Sequence, residues 1–362
     1  MQQTLLCLPM MRFSCFIRGV LCGGLVILSL PGCSRQRPQD SSGLPAMPST
    51  TLVSLRKNPL SRQQWRSIAP SGHVIDTLHY RLYTTLVSRL ERQRLGRLLE
   101  ADYRQFLQFV PRAMPALPMV GFVFANRAQW ADFSYRTTGV NAQIYMDIVA
   151  GGYTQDGVFA TYRFSDAGML SVVAHEAWHQ FAFLALRNRL PAWLDEGMAT
   201  QYEAFTWRKV DGIAVPQFKP WFNRPRWLAL RLAVRGGLKT LWTLRQLIST
   251  QAGAVVTQPQ SRVNAYYGQI WSLGLFLEHS RYRVGLLRLL AAAKAGTLTE
   301  ALVNSDLTAQ DVASADIRWN SIAGPIYFRR YISSHIAAMQ KKYLRFIQEL
   351  TAQWPPTGFG PN

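Results

Sequence analysis

The sequence predicts an α+β fold, in which a small mixed sheet and one long helix precede a mainly helical C-terminal part. Short apolar runs typical of strands are concentrated before residue 165, and from about residue 224 the apolar residues recur at helical spacing. Between them, residues 165–207 contain two stretches with helical start signals. A chain of 362 residues, 48% of them hydrophobic, can form a sizeable core.

The first 32 residues are typical of an export signal. Arg12 and Arg18 precede the apolar run "VLCGGLVILSL", which is too short to span a bilayer comfortably. The run ends in "LPGC", which resembles the bacterial lipobox and implies lipidation of Cys33; an ordinary export signal or a short anchor is the alternative. We therefore expect a lipoprotein signal peptide at 1–32 and a protein of the bacterial cell envelope, lipid-anchored at the outer membrane or the periplasmic face.

Residues 33–72 are rich in Ser, Pro, Gln and Arg, and we expect them to form a flexible tether without fixed structure. All four cysteines lie within the first 33 residues, so the body of the chain has neither a disulfide framework nor a thiolate metal site.

The formal net charge is +20, and most of the 40 cationic residues are arginines. Such a surplus can attract an anionic polymer of the envelope, whereas a specific nucleic acid partner is not expected for an exported chain. A merely arginine-rich composition without a partner explains the charge equally well.

The predicted sheet begins with "LHYRLY" from Leu78. A helix over residues 86–110 follows, then a buried strand Met119–Phe124, then a short helix capped by Asn126. The segments "QIYMDIVA" and "GVFATYRF" are predicted to be two strands of a hairpin around Gly151 and Gly152.

Two helices are predicted to follow the sheet, one from Ser165 or Asp166 to about residue 188, the other from Pro191 to about residue 207. "KVDGIAV" predicts a tight hairpin, and residues 262–279 and 326–350 are the clearest later helices. These elements suggest a mixed subdomain at 73–222, which contains the histidine motif described next, a mainly helical C-terminal subdomain at 223–354 and a tail at 355–362.

The stretch "SVVAHEAWHQF" places two histidines four residues apart on the first of these helices. His175 and His179 are stacked on one face, so both imidazoles can reach a single ion. Glu176 lies about 100° around the helix, where it can act as a general base without coordinating the ion. The alternative is an ordinary core helix with hydrogen-bonded histidines.

A catalytic metal site of this type needs a third protein ligand. The segment "LPAWLDEGMATQYEA" supplies Glu196, seventeen residues after His179. The combination resembles the gluzincin metallopeptidases, in which H-E-x-x-H is followed by W-[LF]-x-E-G-[LFM]-A. With the preceding "GGYT", it resembles more closely a bacterial family of peptidase-MA-like domains over about residues 80–279.

This resemblance implies a zincin-like fold, hydrolysis of a peptide bond, and one Zn²⁺ held by His175, His179 and Glu196. It also implies that Glu176 polarises the attacking water. Asp195 and Glu203 are candidates to orient the histidines; a solvated helix charge is the alternative for each.

An oxyanion-stabilising side chain is also expected in a hydrolase. Tyr267, in "YYGQIWSLGLFLEH", is the candidate, with Tyr266 and His279 as weaker ones on the same predicted helix; core packing is the alternative for a tyrosine. Zincins commonly hold a peptide along an exposed sheet edge, and "GGYTQDGVFATYRF" is where such a strand, or a plain hairpin, would lie.

The main hypothesis is thus a membrane-tethered zinc peptidase that cleaves a peptide or protein substrate. The alternative is a non-catalytic lipoprotein with the same fold that binds anionic envelope polymers. Hydrolysis of a non-peptide amide would use the same residues and stays open.

Overall fold

The computed structural model describes residues 50–356, apart from 147, 149–150, 238–239, 256–257 and 315–316. Four predictions fall wholly or partly outside the described residues: the signal peptide, the lipidation at Cys33, residues 33–49 of the tether and residues 357–362 of the tail. The strands are β1 His73–Asp76, β2 Tyr80–Thr84, β3 Met119–Phe124, β4 Gly152–Gln155, β5 Val158–Tyr162, β6 Phe205–Val210 and β7 Ile213–Phe218.

The longer helices carry most of the core contacts. They are α3 Arg89–Phe109, α4 Arg127–Thr137, α6 Asp166–Ala185, α7 Ala192–Ala199, α8 Arg224–Arg235, α11 Gln260–Glu278, α12 Arg283–Ala295, α14 Ile317–Tyr327 and α15 Ile336–Thr351. The shorter ones are α1 Leu52–Lys57, α2 Arg62–Ile68, α5 Ala142–Met146, α9 Leu244–Ser249, α10 Ala252–Val255 and α13 Ala309–Ser314. The predicted α+β class, with a small mixed sheet and a helical C-terminal part, is confirmed.

The main sheet has five strands in the order β1-β2-β3-β5-β4. Strands β2, β3 and β5 are parallel, while β1 and β4 are antiparallel edge strands. The strand predicted at Met119–Phe124 is β3, which is buried throughout because α3 and α6 pack on one side and α4 on the other. This arrangement brings β4 to the edge beside α6.

The predicted hairpin exists, but its first strand and its turn were wrongly placed. "QIYM" belongs to α5, and the hairpin pairs β4 with β5 around Asp156 and Gly157. Both turn residues have positive φ, of 54° and 76°, which Asp-Gly accommodates at a two-residue turn. The glycine pair is not the turn: Gly151 precedes β4 and Gly152 begins it. The second hairpin, predicted at Asp211 and Gly212, is confirmed as β6–β7.

The prediction of a tether without structure up to residue 72 was wrong for its described end. Helices α1 and α2 are capped by the side chains of Thr51 and Ser61, and their apolar residues are buried against the sheet. Trp65 is completely buried and stacks edge-on to Phe122 of β3. Burial of a tryptophan outweighs the weak helix propensity of these polar stretches.

Helix α6 ends three residues earlier than predicted, and the next predicted helix ends at Ala199 rather than near residue 207. Trp207 lies instead in strand β6. The predicted helix over residues 326–350 is interrupted: α14 contains Pro325 and continues as a π-helical turn, and α15 begins only at Ile336.

The C-terminal helices share one continuous hydrophobic cluster with α3 and α6. Helix α11 contacts both α7 and α8, so the predicted boundary at residue 223 does not separate two cores. None of the helices in the described part of the chain combines the length and apolarity needed to cross a membrane.

Asp102 on the buried face of α3 is predicted to destabilise the fold at neutral pH. It is fully buried, and neither carboxyl oxygen has a hydrogen-bond partner among the described residues. Burial therefore raises its pKa well above the usual value. In the unfolded chain the carboxyl group of Asp102 ionises above about pH 3.9, whereas in the folded protein it stays protonated to a much higher pH. The free energy of unfolding therefore falls as the pH rises from about 3.9 towards the pKa of Asp102 in the folded protein.

We expect Asp102→Asn to remove this pH dependence and to raise the free energy of unfolding at pH 8 by on the order of 1–3 kcal/mol. Urea unfolding of both proteins at pH 5 and pH 8 measures it. Parallel pH dependence of the two proteins would contradict the assignment.

Candidate metal centre

Helix α6 carries the two histidines and the adjacent glutamate into the core. Ser165 begins the helix by accepting a hydrogen bond from the backbone N–H of Gly168, and the sequence then continues with few polar residues. His175 and Glu176 have no exposed surface, and His179 is 3% exposed. Gln180 ties the helix to the sheet, because its amide donates to the carbonyls of Val120 and Gly157.

Helix α7 brings the third predicted ligand to the same point. Oε2 of Glu196 lies 3.4 Å from Nε2 of His175 and 3.9 Å from Nε2 of His179, and the two Nε2 atoms are 3.1 Å apart. Three ligands bound at about 2.0–2.2 Å in a tetrahedral arrangement are separated by about 3.3–3.6 Å. This buried group can therefore hold a metal ion, as the sequence predicted.

The Nε2 atoms of His175 and His179 face each other, and each ring is hydrogen-bonded to a carboxylate through its other nitrogen. Nδ1 of His175 is 2.8 Å from Oε1 of Glu203, and Nδ1 of His179 is 3.0 Å from Oδ2 of Asp195. Because an ionised carboxylate only accepts, each Nδ1 carries the proton, and in neutral rings both Nε2 lone pairs point into the same space. Two lone pairs on nitrogens 3.1 Å apart are stabilised only by a positive charge between them, which is either a metal ion or a shared proton.

Oε2 of Glu196 supports the same interpretation. It is buried and accepts no hydrogen bond from any group in the described part of the chain. A carboxylate oxygen left without a donor inside a protein is costly, whereas a cation between it and the imidazoles compensates the charge. The donor set of two imidazoles and one carboxylate suits a first-row divalent metal ion.

Glu203 connects the site to α8, a connection that the sequence did not reveal. Arg226 donates to both carboxylate oxygens of Glu203, at 2.9 and 2.7 Å, and the amide of Asn223 donates at 2.7 Å. Burial alone raises the pKa of Glu203, but Arg226 and His175 outweigh it and lower the pKa to about 2. Glu203 is thus a buried anion and not a solvated helix charge.

Glu176 is held by the edge strand. Thr154 of β4 places its hydroxyl 2.8 Å from Oε2 of Glu176 and 3.0 Å from the backbone oxygen of the same residue. Oε1 is buried and has no partner within the described residues. Burial raises the pKa of Glu176 to about 7, against the lowering effect of the histidines and Thr154. A group near neutral pKa can both take and return a proton.

The structure distinguishes the three oxyanion candidates, of which Tyr266 and Tyr267 lie on α11 and His279 directly follows it. Tyr267 is buried, and Cζ of Arg226 lies 4.9 Å from the centroid of its ring. The hydroxyl of Tyr267 has no hydrogen-bond partner among the described residues. Burial and the charge of Glu196 raise its pKa. Tyr266 instead donates to the carbonyl of Thr250, and His279 lies twelve residues further along, about 18 Å at the rise of a helix.

The chain was also compared with known proteins. No protein-family model matches it, and no curated protein matches it significantly. The geometry of the site and the motifs in the sequence therefore carry the evidence for function.

Proposed function

We propose that this protein is a zinc-dependent peptidase with a zincin-like fold. The observation that supports the proposal most directly is the convergence of His175, His179 and Glu196 on one buried point, with Glu176 beside it. Each imidazole has a carboxylate behind it, which fixes its orientation and raises its basicity towards a metal. A core helix without a metal needs neither the third ligand nor both carboxylates.

When bound, the Zn²⁺ ion supplies a Lewis acid that polarises a carbonyl group and makes water more acidic. Glu176 takes one proton from the attacking water and returns it to the nitrogen of the breaking C–N bond, so that the products are a carboxylic acid and an amine. Thr154 holds the carboxylate of Glu176 in place for both transfers. Tyr267, whose buried hydroxyl has no partner among the described residues, is the proposed group to orient the substrate carbonyl.

The edge strand β4 is the proposed place for a peptide. It is antiparallel to β5, and its other edge has no partner strand among the described residues. The expected exposure of this edge is not observed, because Gly152, Tyr153 and Thr154 are buried, so a peptide must displace the groups that cover it. A peptide added along that edge runs past Thr154 and so past Glu176. The proposed location is the bacterial envelope, through the export signal and the lipid anchor on Cys33.

Metal removal tests the proposal. We expect the purified chain to contain about one zinc per protein by elemental analysis, and to cleave peptides from a broad library without chelator. Cleavage should cease after dialysis against a chelator and return when Zn²⁺ is added. A chain that holds zinc but cleaves nothing in the library would instead favour the non-catalytic binding protein.

A further inference from the structure

Two cavities outside the ligand cluster share Arg187, just beyond the C-terminal end of α6. The cavity called inner here, of about 200 Å³, is lined by His179 and Asp195 as well as by Arg187 and Arg189. The outer groove, of about 810 Å³, lies between the end of α3 and α12 and has the same Arg187 in its lining. A ligand that fills both would extend from the groove to His179, one of the proposed metal ligands.

The charge along this path is positive. Arg112, Arg187 and Lys294 line the outer groove, and no carboxylate belongs to its described lining. The inner cavity contains one carboxylate, Asp195, which already accepts from Trp178 and faces His179. The rest of both walls is mainly apolar, including Phe109, Met114, Phe183 and Leu287. Cations above apolar walls suit a chain that carries carboxylates on aliphatic stems.

The segment that carries Arg187 is fixed by the protein itself. The backbone N–H groups of Arg187 and Asn188 both donate to the carbonyl of Ala293, and the side chain of Asn188 accepts from Leu298. The stem of Arg187 lies against Gly296, where an added Cβ would be 3.3 Å from Cδ and where φ is +85°. The backbone and the stem of Arg187 are thus fixed where the two cavities meet, which limits the conformational entropy that binding a ligand would cost.

We propose that these two cavities form one cleft that binds an acidic peptide segment, with its carboxylates at Arg187 and Lys294. The inference rests on the proposed function, because it identifies the substrate of that site as a peptide rich in Asp or Glu next to the bond that is cleaved. The overall positive charge of the chain attracts anions of any kind. The cations of this cleft differ from the rest because they line a cavity that also contains His179, a proposed metal ligand.

Binding of fluorescein-labelled octaglutamate and octaglutamine to the full chain, measured by anisotropy in 150 mM NaCl, tests the proposal. We expect octaglutamate to bind at least tenfold more tightly, and Arg187→Glu with Lys294→Glu to abolish the difference. The matched control is Lys341→Glu with Lys342→Glu, which makes the same charge change at two exposed positions of α15 and should alter the affinity less than twofold. Arg187→Gln with Lys294→Gln provides a second, milder variant, and melting temperatures verify that each variant is folded.

Three results would overturn the inference: equal binding of the two peptides, equal losses in the two double-glutamate variants, or competition by inorganic polyphosphate as strong as that by unlabelled octaglutamate. The zinc content and hydrolysis of the same preparations are measured in parallel. A chain without metal or activity refutes the proposed function, whereas an active, zinc-loaded chain that does not distinguish the peptides refutes only the acidic cleft.

Discussion

Glu176→Gln should lower kcat/KM for any peptide that the wild-type protein cleaves by about 10²–10⁴-fold. The glutamine side chain has nearly the same shape as that of glutamate and can still contact Thr154, but it cannot take a proton from water. Because Glu176 is adjacent to the ligands and not one of them, the zinc content should remain at the wild-type value. The measurement is steady-state kinetics together with elemental analysis of the same sample.

Glu278→Gln provides a matched control. Glu278, near the end of α11, is also a largely buried glutamate whose pKa is raised by burial to about 7. Its replacement changes the same chemical group outside the candidate site and should leave kcat/KM within about threefold of wild type. Equal activity of Glu176→Gln and wild type would exclude Glu176 as the general base.

Glu203→Ala is expected to have the largest effect on the protein as a whole. It removes the acceptor behind His175 and leaves Arg226 buried without its bidentate partner. We expect zinc affinity to fall about 10–100-fold, and the free energy of unfolding of the metal-free protein to fall by about 3–5 kcal/mol. Competition with a chromogenic chelator and urea unfolding measure the two effects separately.

The double substitution Glu203→Gln with Arg226→Gln separates these two roles. It removes both buried charges together, so most of the lost stability should return relative to Glu203→Gln alone. The loss of zinc affinity should persist, because a glutamine raises the basicity of His175 less than a carboxylate does. If zinc affinity recovered together with stability, the effect of Glu203 would lie in the fold alone.

The sequence identified the three residues that can hold a metal ion because their spacing has a direct geometric meaning. An i, i+4 pair on a helix must share a face, and an acidic residue just after the next helix start falls within reach. Arg226 offered no such signal, since it is one arginine of many on a helix 23 residues after Glu203. Its role arises only when α8 packs against α11 beside the site.

The errors in the fold have a local cause. "QIYMDIVA" contains the aromatic and β-branched residues that favour strands, but its tyrosine stacks on Tyr153 from a short helix, so tertiary packing decides. The tether prediction relied on composition, and two brief helices with a few apolar residues do not change composition. Long, strongly periodic or fully apolar segments such as α6 and β3 were placed correctly.

The enclosure of the ligands by α7, α11 and the sheet also has a kinetic consequence. A cation between His175 and Glu196 is shielded on most sides, since these residues are 0% and 4% exposed and the inner cavity touches the site only at His179 and Asp195. Exchange with free metal then depends on that opening or on local separation of α6 and α7, so it is slow whatever the affinity. A protein of this kind releases its ion slowly on dilution, acquires it most readily while folding, and loses it to a chelator during long dialysis and not on mixing.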